Sequence, residues 1–321
     1  MIEKDIIKAI LEYAIRAPST HNSQPWLFKI EGDKVHIFFD KKYVLPFVDK
    51  ENRDLHISIG CMLENLRIAA LNSNFYTHFS YGPFNNETKL AEAALNPGNV
   101  SDLEKDLFNA IPGRVNARGL FIQEDIPPDL INKINALCLA PDLTVSYITD
   151  KNNIKAIARL TREAIKEAYN QKEFRKEMSH WMNSNLSLKK EGLPGYALKM
   201  PFFVSLIIPI LIRYFNIGFL IANKSAQALS SAPLIIVISG PDDKNSRLKV
   251  GMLAERIMLY LQSLKYQTSI YVGAVEIGGR YASIQKIAQT EHRPQFVFAV
   301  GHIPGKHRLT PRHKLAEKII P

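Results

Sequence analysis

The segment Pro18-Ser19-Thr20-His21-Asn22-Ser23-Gln24-Pro25-Trp26 gathers hydroxyls, carboxamides and one imidazole between two prolines. Such a stiff turn presents donors and acceptors side by side, which suits the polar edge of a flavin ring whose faces are apolar. The same residues also serve as caps and turn formers, with Trp26 as core. About a hundred residues on, Arg114-Val115-Asn116-Ala117-Arg118 sets two arginines four apart with an amide between them. Planar guanidinium forks donate bidentately to phosphate oxygens, and a solvated pair of surface arginines is the plainer alternative. Thr310-Pro311-Arg312-His313-Lys314 is a further basic cluster, which closes on the same phosphate or forms a solvated end. Val275-Glu276-Ile277-Gly278-Gly279-Arg280 places a glutamate before two glycines at the end of an expected strand. Backbone N–H groups can approach a ring there, or the segment is an ordinary strand-to-helix turn.

These residues must be held by elements that the hydrophobic pattern outlines. Ile6, Ile7, Ile10, Leu11, Ala14 and Ile15 recur at helical spacing and predict a helix over 3–16, with Arg16 in its last turn and Pro18 beyond it. Trp26–Ile30 and Val35–Phe39 read as a hairpin around Glu31-Gly32-Asp33. A largely buried helix is expected over 55–72, short strands over Thr77–Tyr81 and Thr88–Ala93, and a turn at Asn96-Pro97-Gly98-Asn99. Further helices are expected over 101–110, Pro127–Leu139, 151–168, 171–184 and Val250–Leu264, and strands over Leu143–Ile148, Leu234–Ser239 and Gln295–Val300. Phe202–Ala222 is almost wholly apolar, with Pro209, Arg213 and Asn216 inside it. A mid-span arginine is costly in lipid. The favoured reading is a helical excursion over the protein's own site or core, and contact with a membrane is the less favoured one.

The 321 residues carry a net charge of +10, 46% hydrophobic and 22% charged residues, as in a folded domain of ordinary composition. Residues 1–100 hold 11 basic and 12 acidic side chains, and 101–321 hold 30 and 19, so an anion is expected on the second part. No aromatic-basic stripe or helix-turn-helix pattern points to nucleic acid. No P-loop, GxGxxG, GxSxG or HExxH occurs, which leaves NTPase, Rossmann, hydrolase and zincin readings without support. Cys61 and Cys138 are isolated and read as buried thiols, with no metal site and no disulfide. Charged residues interrupt the apolar ones in the first fifteen positions, so no secretory signal and a cytoplasmic location are expected.

Taken together, APSTHNSQPW resembles the AP-S-S/T-x-N-x-Q-P-W signature of FMN-dependent nitroreductases. Arg114-x-Asn116-x-Arg118 is similar to that family's R-x-S-x-R/K phosphate motif, with Asn116 where serine is usual. Arg312 is similar to its tail arginine, and Glu276 resembles the Glu of its E-G turn with the glycine one position late. The order of the motifs, and the segments Asp49–Gly60, Phe174–Trp181 and Gly192–Gly195, resemble the Acg-like branch, in which two nitroreductase-like halves share one chain. The resemblance implies an α+β fold, internally duplicated as a pseudo-dimer of mixed sheets covered by helices. It implies a first half over 1–100 that cradles the ring edge, and a second over 101–321 that clamps the phosphate and carries a lid at about 185–222. It implies FMN held by Pro18, Ser19, Thr20, Asn22, Gln24, Arg114, Asn116, Arg118, Glu276 and Arg312, with no catalytic side chain named. NAD(P)H would pass hydride to the flavin, and a nitroaromatic or quinone-like acceptor would take it in ping-pong order. The alternative is a lidded FMN-binding protein with little turnover. A monomeric pseudo-dimer or a homodimer is expected.

Overall fold

The computed structural model describes residues 2–138 and 140–321. The chain runs α1 (Lys4–Ala14), β1 (Trp26–Glu31), β2 (Lys34–Phe39), α2 (Arg53–Asn72), β3 (Phe75–Tyr81), β4 (Lys89–Pro97), α3 (Asp102–Ala110), α4 (Pro128–Asn135) and β5 (Thr144–Ile148). It continues through α5 (Lys151–Asn170), α6 (Lys172–Trp181), β6 (Met182–Asn183), β7 (Leu193–Pro194), α7 (Phe202–Tyr214), α8 (Gly218–Ser230) and β8 (Leu234–Gly240). It ends with α9 (Lys244–Ser263), β9 (Gln267–Ile270), α10 (Gly273–Glu276), α11 (Tyr281–Ala288) and β10 (Arg293–Gly301).

Helix α1 buries Ile7, Ile10, Leu11 and Ala14, the expected stripe, but stops before Arg16. Gly32, at φ 58°, turns the β1–β2 hairpin. Helix α4 ends at Asn135, short of the expected Leu139, a position outside the described residues. Helix α9 starts six residues before Val250. The Asp243 carboxylate accepts the N–H groups of Asn245 and Ser246 at 2.9 and 3.0 Å, a cap that holds a polar first turn without apolar periodicity. Strand β9 and helices α10 and α11 have too few residues to show a period, and the sequence reading does not contain them. Glu276 therefore closes a helical turn rather than a strand, and Gly278 and Gly279, both at φ 66°, lead the chain away from it.

Two four-stranded sheets form, in the orders β1-β2-β4-β3 and β5-β8-β10-β9. Every pair within them is antiparallel, and parallel pairing is seen at β6–β7 and at two single bridges, Phe28–Ile319 and Asn116–Thr268. Both sheets thus have the order first-second-fourth-third, and in each a 20-residue helix lies between the second and third strands. Those helices, α2 and α9, cross at the centre of the molecule. A Cβ on Gly60 would lie 2.1 Å from the Leu248 carbonyl oxygen, and one on Gly251 would lie 2.0 Å from that of Ile57, so backbone meets backbone. Beside the crossing, buried Arg256 donates to Glu104 at 2.7 Å and Glu64 at 3.1 Å, and Arg67 donates to Glu64 at 2.6 Å. Each buried charge has an opposite partner, without which it would be strongly destabilising.

Where a short hairpin joins β1 and β2 in one sheet, α5 to α8 lie between β5 and β8 of the other. The apolar stretch within that insertion is two helices, α7 and α8, bent by 119° relative to one another. Among the described residues no single helix is long and apolar enough to cross a membrane. The C-terminal tail returns to the first sheet. Phe28 N–H donates to the Lys318 carbonyl, and Ile320 N–H to the Phe28 carbonyl, both at 2.8 Å. Cys61 is buried, and Cys138 is half-buried rather than buried.

Candidate functional site

The turn after α1 folds in an unusual backbone form. His21, Asn22 and Gln24 have φ of 53°, 56° and 52°, in the left-handed region that non-glycine residues enter only when neighbours enforce it. The enforcing bonds are visible. Ser19 Oγ accepts the Gln24 N–H at 2.9 Å. The Asn22 amide donates to the carbonyls of Lys190, Gly192 and Pro311 at 3.1, 3.3 and 3.1 Å. The Gln24 amide donates to the Lys190 carbonyl at 2.7 Å and its oxygen accepts the His313 N–H at 2.9 Å. Both side chains are buried, and these bonds tie together the turn, the loop at 190–192 and the C-terminal tail.

Against this turn lies a cavity of about 90 Å³ walled on its basic side by Arg114, Arg118, Arg308 and Arg312, with Pro18, Ser19, Asn22 and Asn116 completing the polar wall. Its arginines come from two places in the chain. Residues 114–118 run along β9, fixed by Ala117 N–H on the Thr268 carbonyl at 2.9 Å and by Asn116 Oδ1 accepting the Ile270 N–H at 3.0 Å. Arg118 donates to Ser269 Oγ and the Ile270 carbonyl at 3.2 and 3.0 Å. Arg114 pairs through Nε with the buried Glu255 carboxylate at 3.0 Å. Arg312 reaches in from the tail, donating to Asn22 Oδ1 at 2.6 Å and to the carbonyls of Arg16 and Ala17 at 3.2 and 3.3 Å. Arg114 also donates to the Arg16 carbonyl, at 3.3 Å, so both arginines meet just past the C-terminal end of α1.

The charges here do not balance. Burial first, then the neighbouring Arg114, push Arg312 from its ordinary 12.5 down to about 9. An arginine keeps its proton in proteins, so the guanidinium is held here at the cost of lost hydration and of a like charge beside it, with Glu255 as the opposing negative group. Burial also lifts Glu255 to about 7 although Arg114 opposes it, which leaves less negative charge near neutral pH. The side-chain Nε of Arg312 has no hydrogen-bond partner among the described residues.

A second cavity, of about 540 Å³, adjoins the first through shared walls at Arg118, Leu193, Leu198 and Ile270. Its lining is mainly apolar, with Ile165, Tyr169, Met178, Ile212 and Ile221 among its walls. Leu193, Leu198, Lys199, Met200, Ile212 and Ile221, all inside the expected lid, belong to its walls. His21 lines it too; burial depresses its pKa to about 4, so it is neutral at neutral pH, and its Nε2 contacts Met178 Sδ at 2.8 Å. Glu276 lies at the far end, between this space and a polar one of about 250 Å³ that reaches Asp49 and Arg53. Arg53 bonds Asp54 at 2.8 Å and Glu276 at 3.1 Å, and Thr20 Oγ1 donates to Asp54 at 3.3 Å. Burial and then Asp54 raise the Glu276 pKa well above the carboxylate range, and burial with Asp54 raises Asp49 to about 6.

Of the ten residues singled out in the sequence, Pro18, Ser19, Asn22, Arg114, Asn116, Arg118 and Arg312 line one cavity. Glu276 stands at the end of the adjoining one. Thr20 turns to the acidic cluster, and Gln24 is fully buried behind the turn. His21, Met178, Glu255 and Arg308 escaped the sequence reading. His21 lay inside the motif and could have been found, whereas Met178, Glu255 and Arg308 join the site only through long-range packing.

No family model matches the chain. Among curated proteins it is 41% identical over 69 residues to the "Putative NAD(P)H nitroreductase acg" of Mycobacterium tuberculosis, covering 22% of this chain and 21% of that one, about a fifth of the relative's length. A second "Putative NAD(P)H nitroreductase" of the same organism is 21% identical over 99% of this chain and 92% of its own. Among solved structures, an FMN-dependent nitroreductase of Mycobacterium smegmatis in complex with NADPH is 16% identical over 67% of this chain and 97% of its own, with a TM-score of 0.42. A nitroreductase with bound FMN from Desulfitobacterium hafniense is 14% identical over 67% and 97%, with a TM-score of 0.41. The chain thus carries the APSTHNSQPW turn and is similar, along its whole length at 21% identity and over 69 residues at 41%, to curated proteins named as putative NAD(P)H nitroreductases.

Proposed function

We propose that the protein is an FMN-binding oxidoreductase of nitroreductase type. One observation carries the reading. A small cavity lined by four arginines opens beside a large apolar cavity, which suits a phosphate at one end of a ligand and a planar ring at the other. Arg114, Arg118 and Arg312 would hold the phosphate, with Ser19 and Asn116 beside it. Asn22 and Gln24 fix the turn and the tail, so they would support the site through the positions of Ser19 and Arg312. Apolar walls exclude water, and the neutral His21 adds no charge. Glu276, kept protonated by burial and Asp54, would set an uncharged carboxyl at the far end of the ring cavity. When bound, the flavin would supply two-electron exchange between NAD(P)H and a nitroaromatic or quinone-like acceptor in ping-pong order.

The repeated strand order, with α2 and α9 in equivalent places, supports a duplication of two halves over 1–100 and 101–321, with the lid inserted in the second. A single chain then supplies both sides of the site. The second reading, a flavin-holding protein with little turnover, is favoured by the wall that residues 193–221 build along the large cavity.

The test is the visible spectrum of the purified protein, before and after FMN is added and desalted, and then under anaerobic NADH or NADPH. Retained flavin bands that bleach fit the reductase. Retained bands that persist assign the holding role. A protein that retains no flavin from an excess of FMN refutes both.

A further inference from the structure

The elbow formed by α7 and α8 has two faces, and the lid accounts for one of them. Ser205, Ile208, Ile212, Ala222 and Leu229 are buried. On the opposite side Phe203, Ile210, Tyr214, Phe215, Phe219 and Leu220 are 58–78% exposed. Leu188, 91% exposed, lies on a loop pinned to α7 by Asn185 N–H on Ser205 Oγ at 3.1 Å. A helix apolar on all sides belongs in a protein core or in lipid, and here half of it has no protein cover. Scattered apolar side chains are normal on a surface, but a contiguous patch marks something that binds.

Charge identifies the occupant. From residue 192 to residue 241 there is no Asp or Glu, while Arg213 is exposed on the elbow and Lys199 and Lys224, which also line the large cavity, are exposed as well. Lys189 and Lys190 precede them on the pinned loop. The tail adds Lys306 and Arg308, held close by Lys199 Nζ on the Pro304 carbonyl at 3.1 Å, and with the Arg308 guanidinium 4.0 Å from the Tyr196 ring centre. A second copy docked on the same face would bring like charges together. An anionic lipid surface meets both the apolar centre and the basic rim. Each helix has 13 residues, roughly 20 Å, too short to cross a bilayer, and the 119° bend prevents the pair from forming one straight span. We propose that the α7–α8 elbow is a monotopic docking surface for an anionic bilayer, with its aromatic and aliphatic side chains seated at the headgroup boundary. The helices that wall the large cavity on one side would then rest on lipid with the other. This docking does not depend on the flavin reading.

The experiment is co-sedimentation of the full chain with vesicles of pure phosphatidylcholine and of phosphatidylcholine mixed with phosphatidylglycerol. Light scattering is run in parallel without lipid. Binding to the mixed vesicles is expected to exceed that to neutral ones by about fivefold for each basic residue engaged, and to fall as salt is added. Phe203→Ser combined with Ile207→Ser and Ile210→Ser, all on the exposed face, should weaken binding at least tenfold while leaving the melting temperature unchanged. Lys199→Glu with Arg213→Glu keeps the apolar face intact and should weaken mixed-vesicle binding by about twentyfold. No sedimentation with either vesicle type overturns the proposal. So does self-association without lipid that the serine variant abolishes, which would assign the face to a second copy.

Discussion

Arg312→Met separates a phosphate ligand from a tail clamp. In the parent, Arg312 is half-buried, beside Arg114, and pushed from 12.5 to about 9. At about 1.4 kcal/mol per pKa unit, that push is an unfavourable term of several kcal/mol. It is opposed by charge-assisted bonds to Asn22 Oδ1 and Thr310 Oγ1 and by weaker ones to four carbonyls. Such bonds contribute about 1.5–3 kcal/mol each when one partner is charged and well placed, so the two sides nearly cancel. Methionine matches the length without the charge. The flavin-free variant should therefore melt within about 4 °C of the parent. FMN binding should fall about a hundredfold, roughly 3 kcal/mol, because a bidentate contact to phosphate is lost and the site's positive excess with it. Both are read in phosphate-free buffer, by differential scanning fluorimetry and by quenching of FMN fluorescence. An affinity within threefold of the parent, together with a melting point lowered by more than about 8 °C, would refute the reasoning and make Arg312 a clamp for the tail.

The buried pair at Glu255 predicts a pH signature. Its folded pKa, about 7, lies above its ordinary 4.5, so the folded state holds a proton that the unfolded chain has released. Stability should fall as pH rises through that window, by roughly 3 kcal/mol in all. Glu255→Gln removes that dependence, so urea melts at pH 5 and 8 should show the parent losing that much more than the variant; equal losses reject the assignment. Gly251→Ala drives a methyl into the Ile57 carbonyl and should cost about 3 kcal/mol or more, read as loss of soluble folded protein or a lowered urea midpoint; a parent-like midpoint would mean that α2 and α9 can separate. Gln24→Ala unties the loop at 190 from the tail at 313, and trypsin should then cut at Lys306 and Arg308 well before the core; unchanged digestion would show the tail held by other bonds.

Residue types and spacing were enough for much of this protein. The helical stripe of α1, the β1–β2 hairpin and the apolar runs of β8 and β10 were legible, because burial on one face leaves a period and burial on both leaves an unbroken apolar run. Tertiary structure decided the rest. It turned Asn22 and Gln24 inward, where their amides meet backbone carbonyls and an N–H some 170 and 290 residues away, a role that local pattern cannot distinguish from ligand contact. It moved Glu276 from a strand end to a helical turn beside Arg53, and it started α9 early on a capped polar turn. It also decided which side of α7 is covered, since a helix apolar all round gives no period to read. Local chemistry set which groups were available, and packing between distant segments set which of them face a cavity, a carbonyl or solvent.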